Sequence, residues 1–273
     1  MAVTRLDDRN ADLLADYRHI PDPTLVARRG LFVAEGRLVV TRLLADRRWT
    51  TRSVLLTGTA YRALHEAVET RPDVDVFVVP QDAMNDIAGF NIHRGCLAIG
   101  ERPAAADWRD VEAAATRLVV LERVGDADNV GSVFRNVAAL GGGAAGVLLG
   151  PGCADPLYRK AIRTSMAGVL TVPFAPAPAW PEAIADLRAR GWRTLALTPQ
   201  AGAETIRDIA LADGDRYALV LGHEGEGLSP AAMAACERRV RIPMSGFDSL
   251  NVATAAAIAL YELGPSAGRR ALP

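Results

Sequence analysis

The chain has 273 residues, of which 50% are hydrophobic and 23% are charged, and its formal net charge at pH 7 is −1. A chain of this length buries a substantial core and suits one large or two modest domains, of which we predict two. The small net charge argues against a nonspecific polyanion binder.

The first hundred residues predict a compact unit of alternating strands and helices that ends near residue 102. Strands are predicted in LFVAEG, TTRSVLLTG, DVDVFVVP and GCLAIG, and helices in RLVVTRLLADRR, AYRALHEAVET and Gln81 to Ala88. Between Arg18 and Arg52 there are eight arginines and three acids. This excess suits an RNA-facing surface or, equally, a solvated helical face.

The second half of the chain repeats the alternation after a linker predicted over residues 103–116. From Arg117 onward, strands are predicted in RLVVLERV, AAGVLLG, VLTVPF, RTLALT, RYALVLG and RRVRIP. Helices are predicted in VGSVFRNVAALG, PLYRKAIRTSMAG, WPEAIADLRARG and the final VATAAAIALYE. The pattern indicates an α/β fold with a mostly parallel sheet, in which ligands bind at the carboxyl ends of the strands.

The cysteines and the longest uncharged run bear on the compartment. Cys96, Cys153 and Cys236 are far apart and form no Cys-x-x-Cys pair, so neither a disulfide framework nor a zinc site is indicated. The uncharged run over 137–154 contains six glycines and Pro151, and the first ten residues are too polar for a signal peptide. We expect a cytoplasmic protein without a metal or a membrane partner.

Three loops at the predicted carboxyl edge contain unusual residues, and the first is LERVGDADNVGSVFRN. Asp128 or Asn129 can cap a helix whose apolar positions are Val130, Val133, Phe134 and Val137. Gly141 ends this helix. At about 100° per residue, Arg135 points roughly opposite the apolar face, as an ordinary exposed arginine also would.

The second loop is LVLGHEGEGLS, in which three glycines allow the backbone to approach a ligand closely. Glu224 and Glu226 disfavour a bare phosphate, so a neutral or cationic ligand fits better. The spacing matches neither a P-loop nor G-x-G-x-x-G. The alternative is a glycine-rich turn that ends at a helix cap, Ser229.

The third loop is IPMSGFDSLNVATAAAIALYE, where Ser249 and Asn251 precede an apolar helix. One capping residue is enough to start a helix. We therefore predict that one of the two caps the helix while the other is available to bind a ligand or a neighbouring loop.

These three motifs, in this order, resemble the signature motifs of the SpoU (TrmH) family of RNA ribose 2′-O-methyltransferases, in the SPOUT superfamily. The resemblance spans about residues 117–263 and includes DPLYRKAIRTSMAGVLTVPF between the motifs. Through FVAEGRLVV and HRGCLAIG, residues 1–102 are similar, more loosely, to the ribosomal-protein-like α/β/α domain that many members use to bind RNA.

The resemblance implies a substrate-recognition domain over 1–102 and a trefoil-knotted methyltransferase domain over 117–273. It also implies S-adenosylmethionine as cofactor, a homodimer whose association completes the active site, and an RNA substrate, which we expect to be rRNA rather than tRNA. The knot would be an exception to the general absence of knots in proteins.

The family's functional residues can be carried over by position. The catalytic positions are Asn129, Arg135, Glu224, Ser249 and Asn251. The cofactor contacts, largely from the backbone, are Thr198, Pro199, Leu221, Gly222, Ile242 and Leu250. Two departures from the family pattern are His223, where members often carry a smaller polar residue, and the loop before Ser249, where Phe247 and Asp248 replace the usual three residues.

The role of Arg135 needs a physical argument, because members of the family are often proposed to use this arginine in deprotonation. A guanidinium keeps its proton at any ordinary pH. We therefore assign Arg135 to gripping the target phosphate and stabilising developing alkoxide charge, with Glu224 orienting it or a neighbouring loop.

Two other classes of protein remain open from the sequence. A nicotinamide-dependent oxidoreductase would explain the β/α alternation but needs a glycine-rich turn that VGDADNVG does not supply. A non-catalytic RNA-binding protein of ribosome assembly would explain the arginine-rich N-terminal region without using Arg135 or Asn251.

Overall fold

The computed structural model describes residues 3–6, 12–18, 22–89, 92, 94–177, 179–212, 214–246 and 248–264. The chain divides into two compact units. The first unit comprises Met1–Ala104 with Pro156–Leu170, and the second comprises Ala105–Asp155 with Thr171–Pro273.

The described part of the first unit contains a mixed sheet of five strands. They are β1 (Val3–Arg5), β2 (Leu31–Glu35), β3 (Thr51–Thr57), β4 (Asp75–Val79) and β5 (Cys96–Glu101). Their order is β1-β4-β3-β5-β2, in which β4 is parallel to β1 and β3, while β5 is antiparallel to β3 and β2. Strands β2, β3 and β4 therefore end at the same edge of the sheet.

Helices cover this sheet because their apolar sides are buried against it. They are α1 (Asp22–Arg29), α2 (Arg37–Ala45), α3 (Gly58–Glu69), α4 (Gln81–Ala88), α7 (Arg159–Thr164) and most of α8 (Gly168–Thr171), with a 3-10 turn over Asp12–Tyr17. One core cluster includes Leu25, Leu55, Phe77 and Met84, all almost fully buried.

The second unit has an all-parallel sheet of seven strands among the residues described. They are β6 (Arg117–Leu121), β7 (Ala145–Leu149), β8 (Phe174–Pro176), β9 (Arg193–Leu197), β10 (Glu204–Thr205), β11 (Tyr217–Leu221) and β12 (Arg238–Arg241). The order is β10-β12-β9-β11-β6-β7-β8. This confirms the predicted parallel sheet, and it places the three motif loops at one carboxyl edge.

The helices of the second unit connect these strands. They are α5 (Trp108–Ala114), α6 (Ala127–Leu140), α9 (Glu182–Ala189), α10 (Pro230–Ala235) and α11 (Val252–Glu262), with a 3-10 turn over Ile206–Asp208. The central strands are almost entirely apolar because helices bury both faces of the sheet. No helix in the described ranges is long and apolar enough to cross a membrane.

Two predicted elements differ in the structure, and three observed elements, β1, α1 and β10, were not predicted from the sequence. Residues 103–116, predicted as a linker, contain α5, because Trp108 and Val111 are buried in the core of the second unit. The strand predicted in VLTVPF begins only at Phe174, and the helical α8 precedes it. A short apolar run does not distinguish a buried strand from a buried helix.

Candidate functional site

A cavity of about 240 Å³ lies where β9, β11 and β12 end. It is lined by all six residues predicted to contact a cofactor, which are Thr198, Pro199, Leu221, Gly222, Ile242 and Leu250. Glu224 and Ser249 from the predicted catalytic set also line it. The structure thus brings eight of the eleven predicted site residues to one cavity. Phe247, in the shortened loop, lies outside the described residues.

A chain of side-chain hydrogen bonds joins the three motifs beside this cavity. The Asn251 amide nitrogen donates to Asn129 Oδ1 at 2.8 Å, and the Asn129 amide nitrogen donates to Glu224 Oε1 at 2.6 Å. We call this Asn251–Asn129–Glu224 chain the amide relay. Each of its members comes from a different motif loop, so the relay fixes the three loops relative to one another.

Asn251 performs both of the tasks that the sequence assigned to two residues. Its Oδ1 atom caps α11 by accepting hydrogen bonds from the backbone N–H groups of Ala253 at 2.9 Å and Thr254 at 3.2 Å. Its Nδ2 atom remains available for the amide relay. Ser249 is exposed at the cavity and makes no side-chain hydrogen bond within the described chain.

The start of α6 differs from the prediction. Asp126, rather than Asp128 or Asn129, is the N-cap and accepts a hydrogen bond from the backbone N–H of Asp128 at 2.7 Å. The helix therefore begins earlier than predicted. Because Asn129 does not cap the helix, its side chain can form the hydrogen bonds of the relay. Gly141 ends the helix, as predicted.

Arg135 is exposed on α6, opposite the buried face of that helix, as the sequence predicts. Its guanidinium forms no hydrogen bond or ion pair with any described residue. It does not line the cavity. The structure therefore separates Arg135 from the cavity that its own chain forms.

The glycine-rich loop after β11 is held closed by its own backbone. A Cβ atom on Gly222 would lie 2.3 Å from the carbonyl carbon of Gly227, so only glycine fits there. His223 and Gly227 exchange two backbone hydrogen bonds, of 3.1 and 2.9 Å. The His223 Nδ1 atom accepts from the N–H groups of Gly225 at 3.0 Å and Glu226 at 3.2 Å. The unusual histidine therefore organises the turn.

Glu122, which was not predicted as a site residue, is a carboxylate that anchors the far end of the same loop. It is only 2% exposed, and its Oε1 atom accepts from the Trp180 indole at 2.6 Å and the Ser229 hydroxyl at 2.7 Å. Its Oε2 atom accepts from the Ser229 backbone N–H at 2.7 Å. Ser229 also caps α10, as predicted. The detectable signal was a charged residue directly after a buried strand.

The electrostatics of the cavity favour a neutral or cationic ligand. Its described lining contains two glutamates, Glu224 and Glu226, and no lysine or arginine. Arg123 neutralises Glu226, because its Nη1 atom lies 2.6 Å from Glu226 Oε2, so Glu224 is the carboxylate that favours such a ligand. Nearby, burial raises the pKa of the Cys153 thiol to about 11, so this cysteine is not a thiolate nucleophile at neutral pH. No cluster of potential metal ligands occurs in the described part of the chain.

Comparison with known proteins identifies similar chains. Residues 116–261 match the sequence profile of the SpoU rRNA Methylase family. A relative from Mycobacterium bovis, named an uncharacterized tRNA/rRNA methyltransferase, is 43% identical over 261 residues, which are 94% of this chain and 88% of the relative.

Solved structures show the same fold over nearly the whole chain. A putative RNA methyltransferase of the TrmH family from Porphyromonas gingivalis is 26% identical, with a TM-score of 0.79 over 93% of this chain and 97% of that one. An rRNA methyltransferase from Sinorhizobium meliloti is 25% identical, with a TM-score of 0.80 over 95% of this chain and 96% of that one.

Proposed function

This chain belongs to the SpoU rRNA Methylase family and is an RNA methyltransferase, and we propose that it methylates a ribose 2′-hydroxyl of ribosomal RNA with S-adenosylmethionine as donor. The observation that carries the proposal is the amide relay, which ties all three motif loops together beside one cavity. The preference for rRNA is supported by the family and by the fold shared with the Sinorhizobium meliloti rRNA methyltransferase.

The residues of the cavity suit S-adenosylmethionine. The glycine loop gives close access to backbone groups, and Leu221, Ile242 and Leu250 supply apolar contact. The Glu224 carboxylate and the absence of arginine or lysine from the described lining suit a sulfonium cation better than a phosphate. When bound, S-adenosylmethionine supplies a methyl group that is activated by its positive sulfur.

The chain itself has to position the ribose and accommodate charge. We assign Ser249 and Asn251 to orienting the ribose or the cofactor, because Ser249 has an unoccupied hydroxyl at the cavity and Asn251 is fixed by its cap. Glu224 and Asn129 fix the positions of the loops relative to one another through the relay. Arg135 grips the target phosphate and stabilises negative charge as the hydroxyl proton leaves.

The position of Arg135 favours a homodimer. Because Arg135 does not line the cavity of its own chain, we propose that it serves the cavity of a second copy. The trefoil knot and a cytoplasmic location belong to the same proposal, as does a division in which the first unit binds the RNA and the second unit forms the methyltransferase domain.

Two measurements test the proposed function. Calorimetric titration should show binding of S-adenosylmethionine and not of a nicotinamide dinucleotide, whose pyrophosphate finds no cation among the described lining residues. A non-catalytic assembly protein would bind neither ligand.

The second measurement identifies the acceptor. Radiolabelled methyl transfer to rRNA and tRNA from cells that lack the gene should label rRNA. Alkaline hydrolysis of the labelled product distinguishes ribose from base methylation, because a 2′-O-methylated nucleotide lacks the hydroxyl that attacks the adjacent phosphodiester. Label in mononucleotides instead of alkali-resistant dinucleotides would refute methylation of the ribose. Label only in tRNA would refute rRNA as the substrate.

A further inference from the structure

A second cavity, of about 390 Å³, lies within the first unit at the edge where β3 and β4 end. Strand β2 ends at the same edge, so α2, α3 and α4 all start there. The side chains of Arg37, Arg62 and Arg94 line it, together with Thr59 and Gln81. The edge of a sheet at which parallel strands end is a common place for ligands.

The three arginines concentrate positive charge that the protein does not neutralise. None of them forms an ion pair with a described residue, and no acidic residue is found among the described residues of the lining. Among the three, only Arg62 forms a hydrogen bond with a described residue, from its Nη2 atom to Thr59 Oγ1 at 3.3 Å. An arginine cluster without carboxylates is a site for anions.

Several other arginines of the same unit are neutralised by acidic side chains. Arg29 and Arg52 pair with Asp16, Arg48 pairs with Asp46, and Arg71 pairs with Asp73. Three of the eight arginines between residues 18 and 52 are therefore neutralised within the fold. Arg5, Arg28 and Arg47 also form no ion pair with a described residue, but they do not line this cavity. The cavity is distinguished because it brings together three such arginines from separate parts of the sequence.

The helix starts add to this field. In α3, the Thr57 hydroxyl caps only the N–H of Ala60, and α4 starts after Pro80 without a side-chain cap. Gly58 and Thr59, at the first turn of α3, line the cavity. Backbone N–H groups at a helix start carry partial positive charge and bind phosphate oxygens.

We propose that this cavity binds the phosphodiester backbone of the substrate RNA, an inference that rests on the proposed function. Its described lining has no aromatic side chain on which a base could stack. Contacts to phosphates position a protein without reading sequence. The cavity therefore supplies affinity and orientation, and the choice of nucleotide is made elsewhere.

The test replaces the three arginines together in the full chain, as Arg37→Gln, Arg62→Gln and Arg94→Gln. A control of equal charge change replaces three exposed arginines of the same unit that lie outside the cavity, as Arg5→Gln, Arg28→Gln and Arg47→Gln. Binding of a fluorescently labelled hairpin RNA is measured at several salt concentrations. Circular dichroism checks that both variants are folded.

We expect the cavity variant to lose at least about tenfold in affinity and about 2 in the slope of log K against log salt, because each lost phosphate contact removes up to about 0.9. The control variant should stay within about threefold of the wild type. Equal losses in the two variants would overturn the proposal, since they would show a diffuse charge effect.

Two further measurements separate this proposal from others. Inorganic phosphate should bind the wild type only weakly, and micromolar phosphate binding abolished in the cavity variant would indicate a free-phosphate site instead of an RNA site. Binding of S-adenosylmethionine should be unchanged in the cavity variant.

If the wild type binds RNA through these arginines but transfers no methyl group, the proposed function fails while the RNA site stands. If the wild type methylates RNA and the cavity variant binds RNA normally, the RNA site fails while the proposed function stands.

Discussion

Asn129 uses both ends of its amide, accepting from Asn251 and donating to Glu224, and a carboxylate could do only the first. We predict that Asn129→Asp lowers methyl transfer by about 10- to 100-fold, because losing a paired donor beside a carboxylate costs about 1–3 kcal/mol. Asn136→Asp on the same helix is the control. Asn136 donates to the Ala253 carbonyl outside the cavity, so its change should leave turnover within a few fold. Equal effects would remove the relay from the mechanism.

Arg135 differs from the relay residues because the fold does not use it. It is exposed and has no partner in the described chain, so Arg135→Ala should leave unfolding free energy within about 0.5 kcal/mol of wild type. Affinity for S-adenosylmethionine should also be unchanged. Turnover should fall by about 100- to 1000-fold, the usual effect of losing a charge-stabilising group.

The Arg135→Lys variant keeps the positive charge but lacks the forked guanidinium group, so it tests the two features separately. An ammonium cannot reproduce bidentate contact with a phosphate, so we expect it to restore little activity. Single-turnover methyl transfer to rRNA by the wild type and both variants measures this. Normal methylation by the alanine variant would mean that Arg135 is an ordinary surface residue.

At the scale of elements, the loop after β11 depends on an acceptor at position 223. His223→Ala removes the acceptor of two backbone hydrogen bonds, from Gly225 and Glu226. We predict weaker S-adenosylmethionine binding by about tenfold, since each neutral hydrogen bond contributes about 0.5–1.5 kcal/mol. His223→Asn places a carbonyl oxygen that can accept the same N–H groups, so it should retain most of the affinity. Equal affinity of the alanine variant and wild type, by calorimetry, would contradict a structural role for His223.

The elements also show what could be predicted from the sequence and why. Most strands and the apolar face of α6 follow from periodicity, whereas the cofactor positions come from the resemblance to the SpoU family. The position of α5 could not be predicted, because burial of Trp108 depends on distant residues. Glu122 was missed for the same reason, since its partners Trp180 and Ser229 lie 58 and 107 residues away.

At the scale of the whole molecule, the buried thiols predict a loss of stability in alkali. Burial raises the pKa of Cys236 to about 12 and that of Cys96 to about 11, whereas the ordinary value is 9.0. Below pH 9 the thiols stay protonated in both the folded and the unfolded protein. Above it the unfolded thiols ionise first, so each thiol lowers unfolding free energy by up to about 1.4 kcal/mol per pH unit until its folded pKa is reached. Urea unfolding should show a shallower decline between pH 9 and pH 10 for Cys236→Ala than for the wild type. Identical slopes would mean that this thiol does not contribute.

A shared active site makes a prediction that no single-chain variant can test. If Arg135 serves the cavity of a second copy, an Arg135→Ala chain has an intact cavity and a Gly222→Val chain has an intact arginine. The valine side chain would overlap the Gly227 backbone and block the cofactor loop. Each variant alone should be inactive. After the two are denatured and refolded together in equal amounts, random pairing gives half mixed dimers with one complete site of two, or about a quarter of wild-type activity.

The control for this experiment mixes two variants of the same cavity, Gly222→Val and Asn129→Asp. This mixture should show no more activity than the Asn129→Asp variant alone, because no complete site forms in any pairing. Light scattering must show dimers in every sample. No recovery in the Arg135→Ala and Gly222→Val mixture, with dimers present, would place Arg135 in the site of its own chain. That result would require α6 to move, because in the present structure this arginine lies outside the lining of its own cavity.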